Sequence, residues 1–239
     1  MRVYENEDVE KDVIRRLGQR GTRRFRKRWS VTKLVCCSRS AYWWRTGTEW
    51  KPDDPDSLQL TFTRGRAHHE ILEVYKDKEI YLRKDEITGH VDTKGERIIE
   101  IFTTMVGTNR VKAPEDAARV FSIKVAQLKC YLCMSGDTSG DLMVFHLMGD
   151  YSRPIKPKLK VFTFDFEPVE LEKWWESILK RREHIEECAR IGRVPLEMGE
   201  SYECLNCGYR YKCVEFLQER YEMAITDYIE ALKNEDVVL

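Results

Sequence analysis

The chain has 239 residues, 42% of them hydrophobic, and its 41 basic and 41 acidic side chains leave no formal net charge. That is enough for one domain, or one with a small appendage. No run approaches the roughly 18 uncharged apolar residues of a membrane helix, and the charged start (Arg2, Glu5, Glu7, Asp8) has no secretory apolar core, so a cytoplasmic protein is expected, whose cysteines stay thiols unless a metal takes them.

The zero net charge conceals a block from Arg15 to Arg28 with many basic residues (Arg15, Arg16, Arg20, Arg23, Arg24, Arg26, Lys27, Arg28) and no acidic one. Such a block is either a solvated arm or a strip for phosphates, and it sets residues 1–29 apart. Ser30 can cap a helix through about Tyr42 that carries Leu34, Val35 and Cys37 toward a core. After a loop rich in Pro and Asp (Pro52 to Asp56), a second helix is predicted from Arg64 to Tyr75, with Gly65, His68 and His69 on it. Three β-like runs, Glu79 to Arg83, Ile87 to Thr93 and Arg97 to Thr104, read as a meander. From Pro114 the residues Ala117, Phe121, Lys124, Gln127 and Tyr131 recur at helical spacing, with Gly136 past the end. Strands follow at Leu142 to Met148 and Leu159 to Phe166. A long helix spans Pro168 to Ile191, with Leu171, Trp174, Ile178, Ile185 and Cys188 on one stripe and Gly192 and Pro195 as stops. The last segment, 201–239, is a cysteine-rich turn (Cys204 to Cys213) feeding a helix with the stripe Leu217, Tyr221, Ala224, Tyr228 and Leu232. Strands, a helix, more strands and outer helices predict an α/β fold over residues 30–200, a mixed central sheet flanked by helices.

Two constellations carry chemistry. Cys204 and Cys207, three positions apart in a turn, can grip one metal, and Cys213 can close the cage. Cys37 is the best fourth ligand, because Cys188 falls on a core stripe, Cys130 and Cys133 lie inside the helix that carries Gln127, and Cys36 reads as a buried neighbour. Thiolates so spaced suit zinc or an iron–sulfur cluster alike. The second constellation is Gly89-His90-Val91-Asp92 followed by Ile98-Ile99-Glu100-Ile101. Adjacent strands set Asp92 beside Glu100, as hard oxygen ligands for Mg²⁺ or Mn²⁺ able to act on phosphate; a solvated Asp and Glu near a turn is the plain alternative. His69 can add a nitrogen ligand or be an ordinary helix-surface histidine. Gln127 and Tyr131 share a helix face with Lys124.

The order of these elements from Ser30 to Cys213 resembles the RecB-like branch of the PD-(D/E)xK nucleases, whose core is restriction-endonuclease-like, and within it the CRISPR-associated fourth Cas protein family. The resemblance implies a Mn²⁺ or Mg²⁺ ion held by His69, Asp92, Glu100 and the carbonyl of Ile101, with Gln127 and Tyr131 positioning DNA or the site. It implies a 4Fe–4S cluster on Cys37, Cys204, Cys207 and Cys213, with 2Fe–2S or zinc as alternatives, in a C-terminal region packed against the N-terminal helix. It also implies a metal-dependent exonuclease on DNA ends, often of single strands, in CRISPR adaptation (trimming of spacer precursors) or DNA repair. Its partners would be DNA and CRISPR integrase proteins; no membrane is expected, and self-association is left open.

One position departs from the family. The acid strand normally reads Glu, any residue, Lys; here it reads Glu100-Ile101-Phe102. Two expectations follow. Either Lys124, one helical turn before Gln127 on the face toward the site, supplies the missing cation and the protein cleaves DNA, or the chain is a DNA-end-binding subunit with little or no activity that works through an integrase partner. For Lys124 itself the bland alternative is an exposed lysine on an amphipathic helix.

Overall fold

The structure, a computed structural model, describes residues 28–72, 78–196, 204 and 207–235. The basic block lies outside them except for Arg28, which is exposed. Strand β1 (Trp29–Ser30) leads into a helix capped as expected, the Ser30 hydroxyl accepting from Lys33 N at 3.4 Å. The single helix expected through Tyr42 is two, α1 (Val31–Val35) and α2 (Ser38–Arg45), because the backbone leaves helical geometry at Cys36 and Cys37. Cys36 is half-buried rather than buried. Helix α3 (Pro55–Leu72) starts well before the predicted Arg64. Pro55 suits a first turn, and Asp54 accepts from Ser57 N at 2.9 Å.

The predicted meander is β2 (Lys78–Lys84), β3 (Ile87–Lys94) and β4 (Ile98–Thr104). The helix expected from Pro114 bends at Phe121 into α4 (Pro114–Val120) and α5 (Ser122–Ser135). The bend buries the Phe121 ring in an apolar cluster with Val111, Leu142 and Val144. Strand β5 (Ser139–His146) begins earlier than predicted, since polar Ser139 and Asp141 pair with Asp165 and Thr163 of β6 (Lys158–Asp165). Helix α6 (Pro168–Ile191) has the predicted bounds, and α7 (Arg210–Glu235) ends the described chain. Gly136 and Gly192 terminate α5 and α6 with φ of 83° and 71°, left-handed conformations that a glycine adopts without a Cβ clash.

The strands form one mixed sheet in the order β1-β3-β4-β5-β6, with β2 also paired to β3. β1 is parallel to β3 and β4 to β5, and the remaining pairs are antiparallel. The parallel pair needs a crossover, which α4 and α5 supply. α5 lies on the sheet, α6 packs outside α2 and α5, and α3 lies against β4. This is the mixed central sheet flanked by helices that the sequence predicts. Alternation along β4 sends Ile98, Glu100 and Phe102 to one face and Ile99 and Ile101 to the other, where they cluster with Met143.

Two side-chain expectations are corrected. On α6 the buried stripe uses Trp175, not Trp174; Trp174 is half-buried and donates its Nε1–H to Cys130 Sγ at 3.3 Å. On α7 the stripe is uncovered where it is described, with Leu217 and Tyr221 exposed. Among the described residues no helix is long and apolar enough to cross a membrane.

Candidate active site

The ladder between β3 and β4 pairs Thr93 with Ile99 and Lys94 with Ile98. Beyond this ladder, Ile101 N–H donates to the Asp92 carboxylate at 2.7 Å. The Asp92 carboxylate therefore reaches β4 at the residue that follows Glu100. Glu100 is only 2% exposed, on the face toward α5. A carboxylate buried this far needs a cation or strong donors.

Lys124, in the first turn of α5, supplies that cation. Its ammonium lies 2.8 Å from Glu100 Oε1 and 3.3 Å from Gln127 Oε1. Gln127 Nε2 in turn donates to Tyr131 Oη at 2.6 Å. The same ammonium stands 5.7 Å from the centre of the Phe102 ring, so a positive charge sits beside residue 102 even though that residue carries none. The Phe102 ring meets Phe121 edge to face at 4.9 Å. Burial would lower the Lys124 pKa, but the charge and hydrogen bond of Glu100, and then the charge of Asp92, outweigh it and hold the amine above its ordinary value. Lys124 is thus a fixed ammonium that feels both acids. Burial, reinforced by the charge of Glu100, likewise pushes the Tyr131 phenol up, against the opposing hydrogen bond from Gln127. Neither group is a base at neutral pH.

Gly89 has a steric reason to be glycine, since a Cβ there would stand 2.8 Å from Tyr131 Cε1. Its absence lets α5 approach β3 closely enough to deliver Gln127 and Lys124. His69 lies on α3, and its side chain falls outside the described residues. Two carboxylates and the neighbouring Ile101 carbonyl make a hard oxygen donor set, which fits Mg²⁺ or Mn²⁺ better than a soft metal. Among the described residues no group of three or more His, Cys, Asp or Glu side chains is arranged to hold a metal ion.

The cysteines occupy a second region. The helix break places Cys37 at the N-cap of α2. Cys213 lies in the first turn of α7, and Cys204 and Cys207 precede it. The Cys207 thiol is pushed up by burial, partly offset by the Tyr209 backbone, and further by Cys213, Cys37 and Cys204. Cys213, Cys37 and Cys204 thus lie near enough to Cys207 to act on its thiol, although among the described residues no three of these cysteines are arranged to hold a metal ion; thiolates are the donors that zinc or an iron–sulfur cluster would take. Cys188 is buried in the core as expected, and Cys130 and Cys133, on α5, are buried there too.

Sequence reasoning missed the strut that holds this region. Arg39 Nε donates to Pro195 O at 3.1 Å and its Nη2 to Leu196 O at 2.9 Å, while its guanidinium lies 5.1 Å from the Phe216 ring centre. A basic residue in the first turn of a core-facing helix was the available signal. Lys51 N donates to Gly208 O at 2.7 Å and Tyr211 Oη to Glu49 O at 2.9 Å. The C-terminal turn thus packs against α2 and the loop after it.

No protein-family model matches the sequence, and no curated protein matches it. Among solved structures the chain is similar to the crystal structure of SSO0001, at 15% identity, covering 85% of this chain and 95% of that one with a TM-score of 0.50. Fainter likenesses link it to a phage-related exonuclease from Haemophilus somnus 129PT (10% identity, 75% and 82% covered, TM-score 0.39) and to the alkaline exonuclease LHK-Exo from Laribacter hongkongensis (13% identity, 70% and 93% covered, TM-score 0.39). The likeness to SSO0001 is one of fold, and the chemistry rests on this chain's own residues.

Proposed function

We propose that this protein is a metal-dependent DNA nuclease that acts on strand ends, single strands among them, in CRISPR adaptation or DNA repair. The observation that carries the reading is the Lys124 ammonium on Glu100 beside Phe102. A surface lysine gains little from an ion pair, whereas this one reaches a buried carboxylate and joins a chain through Gln127 to a buried tyrosine. Asp92, Glu100, the Ile101 carbonyl and His69 would hold Mn²⁺ or Mg²⁺, which would acidify a water and neutralise charge on the phosphate. Lys124 stabilises negative charge developing on the phosphate oxygens, the part that a strand lysine at position 102 would play. Because its amine stays protonated, it acts as an electrostatic group and takes no proton. Gln127 and Tyr131 set its position. The basic block from Arg15 to Arg28 would hold strand phosphates. Cys37, Cys204, Cys207 and Cys213 would bind a 4Fe–4S cluster as a staple between α2 and the C-terminal turn.

The test is cleavage of end-labelled single- and double-stranded DNA with Mn²⁺, comparing the native chain with Asp92→Ala. Cleavage that Asp92→Ala abolishes is expected. A second reading, a DNA-end-binding subunit with little activity that works beside an integrase, is favoured by Phe102 alone, whose ring is built into the apolar cluster. It would show as end binding without any cleavage that depends on Asp92.

A further inference from the structure

Past the end of β4 lies a recess that the chemistry above leaves unused. It is a pocket of about 590 Å³ lined by Met105, Gly107 and Tyr151, with Arg110 and Arg119 also on its walls. Tyr151 is 50% exposed, yet it is held at both ends. Its hydroxyl donates to Met105 O. One side of its ring covers Gly107, where a Cβ would stand 2.5 Å from Tyr151 Cε2. Its backbone sits at φ 66°, a left-handed conformation that a non-glycine residue keeps only where its surroundings hold it.

The loops beneath are tied as well. Thr108 N donates to Gly149 O at 2.7 Å, Tyr151 N to Met148 O at 2.9 Å, and the His146 ring nitrogen Nδ1 lies 2.7 Å from Val106 O. The result is a rigid, exposed aromatic ring beside two guanidinium groups. Arg119 is partly engaged by Asp116 at 3.2 Å, which leaves Arg110, exposed, as the better phosphate donor. Met105 directly follows β4, ~16 Å along the strand from Glu100 at the usual rise per residue. Val106 and Val120, which line the pocket, pack on the cluster that also takes Phe102. The recess therefore continues the face on which Lys124 meets Glu100.

We propose that this recess is a subsite for one unpaired nucleotide of a single DNA strand, its base stacked on Tyr151 and its phosphate held by Arg110. Stacking on a fixed aromatic ring with a guanidinium on the backbone is how proteins hold single strands without reading sequence. The inference rests on the DNA reading above and deepens it. The same chemistry would suit a free mononucleotide, and the experiment separates the two.

Fluorescein-labelled dT15 is titrated into the full chain in EDTA, so that nothing is cleaved, with native protein, Tyr151→Phe, Tyr151→Ala and Arg110→Gln. Native protein and Tyr151→Phe should bind alike, and Tyr151→Ala should bind about 5- to 100-fold more weakly. Arg110→Gln should lower the salt slope by about one. On native protein, one abasic nucleotide in dT15 should reproduce the Tyr151→Ala loss at one position of the strand, an arm that needs no variant to fold. Native-like binding by Tyr151→Ala, or indifference to an abasic nucleotide everywhere, overturns the subsite while leaving the nuclease reading standing. Failure of native protein to bind dT15 overturns both. Competition by free dTMP as effective as by the strand overturns the assignment to a strand.

Discussion

Replacing Lys124 with methionine keeps most of the side chain's length and removes its charge. Glu100 is then a carboxylate with 3% side-chain exposure whose ammonium partner is gone. Removing one member of a fully buried pair costs roughly 3–5 kcal/mol. The Lys124 side chain is 32% exposed, so water takes over part of its role, and about 1–3 kcal/mol is the fitting range. In a chain of this length that lowers the melting temperature by roughly 2–12 °C in EDTA. Mn²⁺ should restore part of the loss, because a divalent cation at Asp92 and Glu100 now meets no competing ammonium, and binding to the folded state adds stability by mass action. Cleavage behaves in the opposite way. Loss of a preorganised charge at the reacting phosphate costs about 10²- to 10³-fold in rate. Single-turnover cleavage of an end-labelled strand and Mn²⁺ titration by thermal shift read the two effects separately. Adding Phe102→Lys to Lys124→Met should recover part of the rate. Lys124→Met cleaving as fast as native, with Asp92→Asn inactive, would refute the role given to Lys124.

Anaerobically purified protein should be brown, with iron and sulfide in cluster ratio, and Cys204→Ser should lose both colour and stability while Cys130→Ser keeps them; colourless protein with stoichiometric zinc defeats the cluster. Replacing Arg23, Arg24, Arg26 and Arg28 with Ser should flatten the salt dependence of DNA binding without changing the melting temperature, and an unchanged slope sinks the phosphate strip. His146 is fully buried, and burial holds its pKa below the ordinary value, so the folded chain keeps the ring neutral. The unfolded chain takes the proton first as pH falls past ~6.5, so this group's effect on stability is absent above that pH and becomes a loss below it, at most ~1.4 kcal/mol per pH unit. His146→Gln, which can still donate to Val106 O, should show a shallower fall in melting temperature between pH 7 and pH 5; an equally steep fall rules out His146 as the source.

Much of the site was legible because its parts are local. Asp92 and Glu100 lie on neighbouring strands of one meander, and Gln127 and Tyr131 share a helix face whatever that helix packs on. The bounds of α6 follow from Pro168 and Gly192. The breaks at Cys36–Cys37 and at Phe121 were not legible, because apolar residues continue at helical spacing through both and the interruption serves tertiary needs. The first places Cys37 at an N-cap, and the second buries an aromatic ring. The start of β5 was hidden for a related reason. Ser139 and Asp141 belong to the strand by pairing with β6, and no apolar alternation announces them. Trp174 and Trp175 are adjacent tryptophans near one stripe, and only the packing of α6 on α2 and α5 selects the second for the core.

A lysine two residues after Glu100 would ride on the same strand and point to the same face, so strand geometry alone would hold the pair in register. A lysine on α5 has no such guarantee, and its place must come from how the helix sits on the sheet. Gly89 sets the approach by admitting the Tyr131 ring, and Tyr131, Gln127 and Lys124 pass that position along one face by hydrogen bonds. The start of α5 is set at its other end by Phe121, whose ring rests on Phe102. The phenylalanine at the motif position is thus more than an absence of charge. It anchors the bend from which α5 departs, three residues before the lysine that brings the ammonium to Glu100. Strand residue 102 and helix residue 124 therefore form one arrangement, in which the ring fills the apolar cluster and the cation arrives over its face.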